Sequence, residues 1–168
     1  MAEGNYISRI RAKIGHDPLI MINTFAVLWN EKHDSIFLEQ RADIPDGWGF
    51  PGGFVEYGES PMDAIVREVK EETNLDVKVK NMFEMISSVN PHNSWGDAQQ
   101  NLSLGFEIEL LDGKLQVDKS ETLAAEFVPI NPEPKMFVPA AQANMHRILT
   151  WEDRPKPWLI DSNIKSHS

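Results

Sequence analysis

The sequence predicts an α/β fold, with a mixed sheet packed between helices as an α/β/α sandwich. Three observations predict it. Apolar, strand-like runs recur at Leu19–Trp29, Ile36–Gln40, Val77–Val89, Leu102–Leu111 and Glu126–Ile130. Helix-period stretches are few and lie between or outside those runs, at Asn5–Ile14, after Ser60, and at Pro139–Trp151. The 168 residues, 41% hydrophobic and 25% charged, suit one domain with a sizeable core.

The elements follow in order. Tyr6, Ile10 and Ile14 recur every four residues, with Arg9, Arg11 and Lys13 outside. This marks residues 1–16 as a helical N-terminal arm, which either packs on the domain, contacts a second copy or covers a ligand. Leu19–Trp29 reads as a buried strand, Glu31–Ser35 as a turn, and Ile36–Gln40 as the returning strand. Arg41 at that strand's end is a candidate contact for an anionic substrate. Val77–Val89 reads as one strand or two short ones. Residues 90–101, NPHNSWGDAQQN, form the longest irregular stretch. Loops of this kind carry recognition, which makes Trp95 a candidate for stacking and His92 one for hydrogen bonding or proton transfer. Leu102–Leu111 alternates as a strand. Asp112-Gly113 signals a hairpin turn, with Lys114–Val117 returning. Glu126–Ile130 is a last short strand. Pro139–Trp151 reads as a closing helix, with Ala140, Ala143, Ile148 and Leu149 inside. Residues 152–168 form a Pro-rich, polar tail, expected to be mobile. No repeat or domain-scale linker divides the chain.

Composition removes several function classes. With 16 basic and 26 acidic residues the net charge is −10, which argues against broad nucleic-acid binding through the phosphate backbone. A small anionic substrate stays open, because a metal ion can bridge acidic protein and acidic ligand. The chain has no cysteine, so disulfides, thiolate metal sites and Cys nucleophiles are excluded. There is no signal peptide and no apolar run of about 18 residues, so a cytoplasmic protein without a membrane partner is expected.

The densest chemistry lies in Gly53–Leu75, GFVEYGESPMDAIVREVKEETNL. Ser60 is an N-cap, Pro61 suits the first helical position, and Asp63 complements the helix dipole. Ala64, Ile65 and Val69 form an apolar stripe. Asn74 sits where the chain should turn left-handed. Gly52, Gly53 and Gly58 allow tight turns and close approach of backbone to a ligand. Glu68, Glu71 and Glu72 are spaced i, i+3, i+4, so their carboxylates share a helix face. Like charges there are unfavourable alone, and a hard divalent cation is the simplest compensation.

This stretch resembles the Nudix box, G-x5-E-x7-R-E-U-x-E-E-x-G-U, with U a bulky aliphatic residue. Gly53, Glu59, Arg67, Glu68, Val69, Glu71, Glu72 and Leu75 fall on the pattern, and Asn74 replaces the last Gly. The preceding Trp48-Gly49-Phe50-Pro51-Gly52 also looks like the family. The resemblance extends over about residues 19–151 and implies a Nudix-type sandwich with a loop-helix-loop catalytic box. It implies a Mg²⁺-dependent hydrolase, with Mn²⁺ as the alternative ion, cleaving a nucleoside diphosphate linked to another moiety by attack of water on phosphorus. Carried over by position, Glu71 and Glu72 match the main metal ligands. Glu68 matches a position that binds metal or acts as base, and the Gly52 carbonyl matches a backbone ligand. Glu59 and Arg67 match a pair that holds the loop to the helix. Many relatives add an acidic residue from a distant loop. Here Glu126-Phe127 serves as the landmark that makes Glu121 the candidate, with Asp97 and Glu107 as competitors. The resemblance leaves the substrate open among an ADP-ribose-like compound, a nucleoside triphosphate and a sugar nucleotide. A homodimer is compatible with it. The alternative function is a non-catalytic ligand-sensing module.

Overall fold

The computed structural model describes residues 6–42, 46–93, 96–117, 119, 122–150 and 158–161, the last four as backbone only. The elements are α1 (Tyr6–Ile14), β1 (Leu19–Val27), β2 (Ser35–Arg41), α2 (Pro61–Thr73), β3 (Asp76–Asn90), β4 (Gln99–Asp112), β5 (Thr122–Pro129), α3 (Pro139–Leu149) and β6 (Trp158–Asp161). A four-stranded mixed sheet runs β1-β4-β3-β6, and β2 pairs with β5 in a second, antiparallel sheet. Within the mixed sheet β1 lies parallel to β4, β4 antiparallel to β3, and β3 parallel to β6.

Two apolar clusters divide the core between the helices. One joins Ile65 and Val69 of α2 to Ala26, Phe37, Leu104 and Phe106. The other joins Ala141 and Met145 of α3 to Phe25, Val27, Ile36, Leu38 and Phe83. Neighbouring residues of β1 and β2 enter opposite clusters, as the period of a strand requires. The sheets therefore lie between α2 and α3, the expected sandwich.

Four expectations change. The 90–101 stretch is shorter as a loop, because β3 runs to Asn90 and β4 begins at Gln99. Lys114–Val117 does not return as a strand. Instead Gln116 donates its N–H to Thr73 O at 2.9 Å, and Asn74 Nδ2 donates to Lys114 O at 3.1 Å. That backbone is drawn onto the open end of α2 rather than onto β4. The buried face of α3 is Ala141 and Met145, while Ala140 and Ala143 are exposed. The tail expected to be mobile supplies β6, which pairs its backbone with Glu84–Ser87 of β3. Among the described residues, no helix is long and apolar enough to cross a membrane.

Candidate active site

The site is built on α2. Ser60 Oγ accepts the N–H of Asp63 at 3.1 Å, which caps the helix start. The far end closes on Asn74 at φ 60°, ψ 14°, the left-handed turn that the sequence predicts. Ala64, Ile65, Val69 and Thr73 are buried, so the helix is fixed by that face. The acidic side chains occupy what is left of its circumference.

The chain ahead of α2 lies along β1. Ala26 N donates to Pro51 O, and Thr24 N to Gly53 O, both at 2.8 Å. Between those two carbonyls, Gly52 sends its N–H to Glu72 Oε2 at 3.0 Å. Gly52 has φ 144°, and a Cβ there would meet the backbone of Thr24 and Phe25, so no other residue fits without moving β1. At Gly53 a Cβ would lie 2.5 Å from Cδ and Oε1 of Glu68. The Glu68 carboxylate thus sits directly on the Gly53 backbone.

Arg67 ties loop and helix together. Its Nε and Nη2 grip Glu59 Oε2 and Oε1 at 3.0 and 2.7 Å. Nη2 also donates to Phe54 O at 3.1 Å, and Nη1 to Glu68 Oε1 at 2.9 Å and Glu71 Oε2 at 3.0 Å. Glu59 Oε1 further accepts the N–H of Glu56 at 2.7 Å. This guanidinium hydrogen bond holds the Glu59 carboxyl below its ordinary range. The planar fork of Arg suits such bidentate work, and Lys cannot reproduce it. The Arg67 guanidinium thus bridges the Phe54–Glu59 loop and α2.

Burial pushes the Glu68 carboxyl up, against the opposing pull of Arg67. Glu72 is pushed well above the ordinary carboxylate range, first by burial, then by the charges of Glu39 and Glu68. The Gly52 N–H and the Arg41 charge act in the opposite direction. Glu71, with its side chain 61% exposed, turns out to Arg67. As the side chains stand, no three His, Asp or Glu residues among those described are gathered into a ready ligand set. Glu68 and Glu72 lie inward and Glu71 outward.

Glu39 is the residue that the sequence reading missed. It is 2% exposed in β2, and Thr122 Oγ1 lies 3.5 Å from its Oε2. Its signal was available: Phe37, Glu39 and Arg41 alternate onto one strand face, and Phe37 joins the α2 cluster. Arg41, chosen for its place at the strand end, and Glu39 both act on Glu72.

The other candidates divide. His92 contacts the Pro91 carbonyl through Nδ1 and the Asn90 side chain through its N–H, both local. Glu107 is bound by Lys80 Nζ at 2.6 Å and Asn81 Nδ2 at 3.0 Å. Asp97 holds the N-terminal arm through His16 at 2.7 Å and Arg11 at 3.5 Å. Glu107 thus links neighbouring positions of β3 and β4, and Asp97 ties the arm to the loop before β4. Trp95 and Glu121 lie outside the described residues.

Comparison with known proteins agrees with this geometry. The family model for the NUDIX domain matches residues 20–151. A protein of Methanocaldococcus jannaschii named ADP-ribose pyrophosphatase is 36% identical over 108 residues, covering 63% of this chain and 61% of the relative. A Klebsiella pneumoniae protein named NAD-capped RNA hydrolase is 35% identical over 109 residues, covering 61% of this chain and 39% of its own length. The match therefore spans less than two thirds of either relative. The crystal structure of an ADP-ribose pyrophosphatase from Streptococcus suis superposes with a TM-score of 0.60 at 25% identity, over 84% of this chain and 98% of that one. A UDP-X diphosphatase structure gives a TM-score of 0.64 at 20% identity, over 91% and 73%. With the box, the sandwich and a family match over most of its length, the chain belongs to the NUDIX family.

Proposed function

We propose that this protein is a divalent-metal-dependent hydrolase that cleaves a pyrophosphate bond in a nucleoside diphosphate linked to another moiety. The observation that carries the reading is the Gly52-Gly53 turn against α2, where the Gly52 N–H meets Glu72 Oε2 at 3.0 Å, Glu68 lies on the Gly53 backbone, and the charge of Glu39 acts on Glu72. Glu39 is buried and Glu68 is 17% exposed. Burial presses both Glu68 and Glu72 toward the protonated form, and the charges of Glu39 and Glu68 add to it at Glu72. A set of oxygen donors with surplus negative charge fits a hard cation such as Mg²⁺, with Mn²⁺ as the alternative.

Glu72 and Glu68 would hold the ion, with the Gly52 carbonyl and Glu71 completing the protein's share. When bound, the cation neutralises the diphosphate oxygens and lowers the pKa of a coordinated water. The chain's own residues do the rest. Arg67 holds Glu68 and Glu71 to the loop, so the carboxylates are positioned before substrate arrives. Arg41, beside Glu72, offers a cation to a phosphate oxygen. Glu68 or Glu72, released from its proton, can accept one from the attacking water. Glu39, buried in β2, adds a negative charge that acts on Glu72 and so strengthens the site's demand for a cation.

Two relatives named as ADP-ribose pyrophosphatases support an ADP-ribose-like substrate. The test is phosphate or nucleotide release from ADP-ribose, a nucleoside triphosphate and a sugar nucleotide, each with Mg²⁺ and with EDTA. Metal-dependent turnover favouring ADP-ribose is expected. Equal inactivity on all three with EDTA or Mg²⁺ would overturn the hydrolase reading.

A further inference from the structure

The loop between the Gly52-Gly53 turn and α2 has little packing of its own. It follows β1 as far as Val55, whose N–H donates to Ile22 O at 3.0 Å. None of residues 52–60 is buried, and Tyr57 at the tip is 88% exposed. A segment with few buried contacts opens at low free energy. This loop therefore depends on its polar anchors, and it must still deliver Glu59 to Arg67.

One anchor comes from the N-terminal arm. Tyr6, the first residue of α1, donates its N–H to both Glu56 carboxylate oxygens at 3.0 Å, across 50 positions of sequence. The N–H groups at a helix start have no partner within the helix, and the dipole favours an anion there. The first turn of α1 holds no acid of its own, and Glu56 supplies one. No residue of α1 is buried, so the arm too is held by polar contacts. Its far end is tied by Arg11, whose guanidinium donates to Asp17 O at 2.7 Å and Ala98 O at 2.9 Å. Asp97 adds to that end through His16 and Arg11. The arm is a strut between the start of β4 and the loop of the box.

The same residue continues inward through its backbone. Glu56 N donates to Glu59 Oε1 at 2.7 Å, and that oxygen also accepts Arg67 Nη2 at 2.7 Å. Arg67 Nη1 then reaches Glu68 Oε1 at 2.9 Å and Glu71 Oε2 at 3.0 Å. A continuous path thus runs from Tyr6 N through Glu56, Glu59 and Arg67 to two carboxylates of the site. We propose that Glu56 is a positioning residue: by locking the arm to the loop, it sets the Glu59–Arg67 grip that aims Glu68 and Glu71. Its link to turnover rests on the hydrolase reading; the lock itself does not. If Glu56 only tied the arm down, its loss would cost stability and leave Arg67 as it is.

The test is NMR of the full chain, following the Arg67 Nε–H, whose signal is assigned by its loss in Arg67→Lys. In Glu56→Ala its exchange with water should speed up about tenfold or more. Tyr6→Pro should do the same, since Pro lacks the N–H yet suits the first helical position. Tyr6→Ala keeps the N–H and should keep the protection. Glu56→Gln retains an acceptor oxygen and should hold most of it. Calorimetric Mg²⁺ affinity should fall in Glu56→Ala and in Tyr6→Pro, and kcat should drop about tenfold with KM kept. In an Arg67→Lys background, Glu56→Ala should add little to the loss of kcat. Unchanged Arg67 exchange in Glu56→Ala and Tyr6→Pro overturns the proposal, as does full additivity with Arg67→Lys. Should Glu56→Ala not fold, Tyr6→Pro decides. A native chain without turnover, its Arg67 signal still answering to Glu56→Ala, would count against the hydrolase reading and leave the positioning in place.

Discussion

The Glu68 carboxylate fills the space that a side chain at Gly53 would need, with Cδ and Oε1 at 2.5 Å from the Cβ position. Gly53→Ala therefore displaces Glu68 rather than the backbone, since the carboxylate is the movable partner. The stability cost should stay near the low end for overpacking, about 1 kcal/mol. The activity cost should be larger, about a hundredfold, because small misplacements of catalytic groups weigh heavily. Chemical denaturation and turnover measured on the same sample check both. Full activity in Gly53→Ala would separate Glu68 from catalysis.

Arg67→Lys keeps the charge but loses the double grip on Glu59 and the bond to Phe54 O. A loss of about 1–3 kcal/mol is expected. A pH signature goes with it. The folded pKa of Glu59 lies below the ordinary glutamate value of 4.5. Its contribution is therefore full above that value and disappears as pH falls through the folded pKa. Denaturation midpoints of the native chain should fall on that acid side, and the Arg67→Lys variant should show a shallower fall.

Glu72 has the opposite sign. Its folded pKa is raised above 4.5, so its contribution to stability is present below that value and is lost as pH rises through the folded pKa. A metal ion needs the ionised carboxylate and must displace the proton. Mg²⁺ affinity should rise with pH across the same window. Calorimetry in two buffers of different ionisation enthalpy should show proton release on binding. Glu39→Gln removes one of the charges that raise Glu72, so it should reduce that release. Identical proton release in the Glu39→Gln variant would show that Glu39 does not act on Glu72.

Asn74 takes the left-handed turn at φ 60° and also donates Nδ2 to Lys114 O at 3.1 Å. Glycine would relieve the backbone but lose that bond, so Asn74→Gly should stay within about 1 kcal/mol of the native chain. Asn74→Ala loses the bond and keeps the strain, and should cost about 1 kcal/mol or more. Thermal melts of the two variants side by side give the answer. Equal destabilisation by both would show that the hydrogen bond dominates and the backbone strain does not.

What the sequence revealed here is what acts locally. The caps at Ser60 and Asn74, the apolar stripe of α2 and the Arg67–Glu59 grip all lie within one short stretch, and all stand in the structure. What it hid depends on distant partners. Glu39 reads as an ordinary polar residue until β2 places it against α2. Lys114–Val117 follows a sound hairpin signal, yet the open carbonyl of Thr73 offered a nearer partner than β4. In α3 the Ala residues were weak markers of the buried side, and Met145 was the informative one. β6 lies in a Pro-rich stretch whose pairing partner, β3, is some seventy residues earlier in the chain.

The central claim is that Glu72, pressed by Glu39 and Glu68 at the Gly52 turn, is the core of a metal site that drives hydrolysis. Its most direct test is Mg²⁺-dependent turnover of ADP-ribose by the native chain and by Glu72→Gln, with folding checked by circular dichroism. The account predicts a well-folded variant with turnover lowered at least a thousandfold, on the order of the loss of several kcal/mol of transition-state stabilisation. Turnover in Glu72→Gln equal to that of the native chain would contradict it.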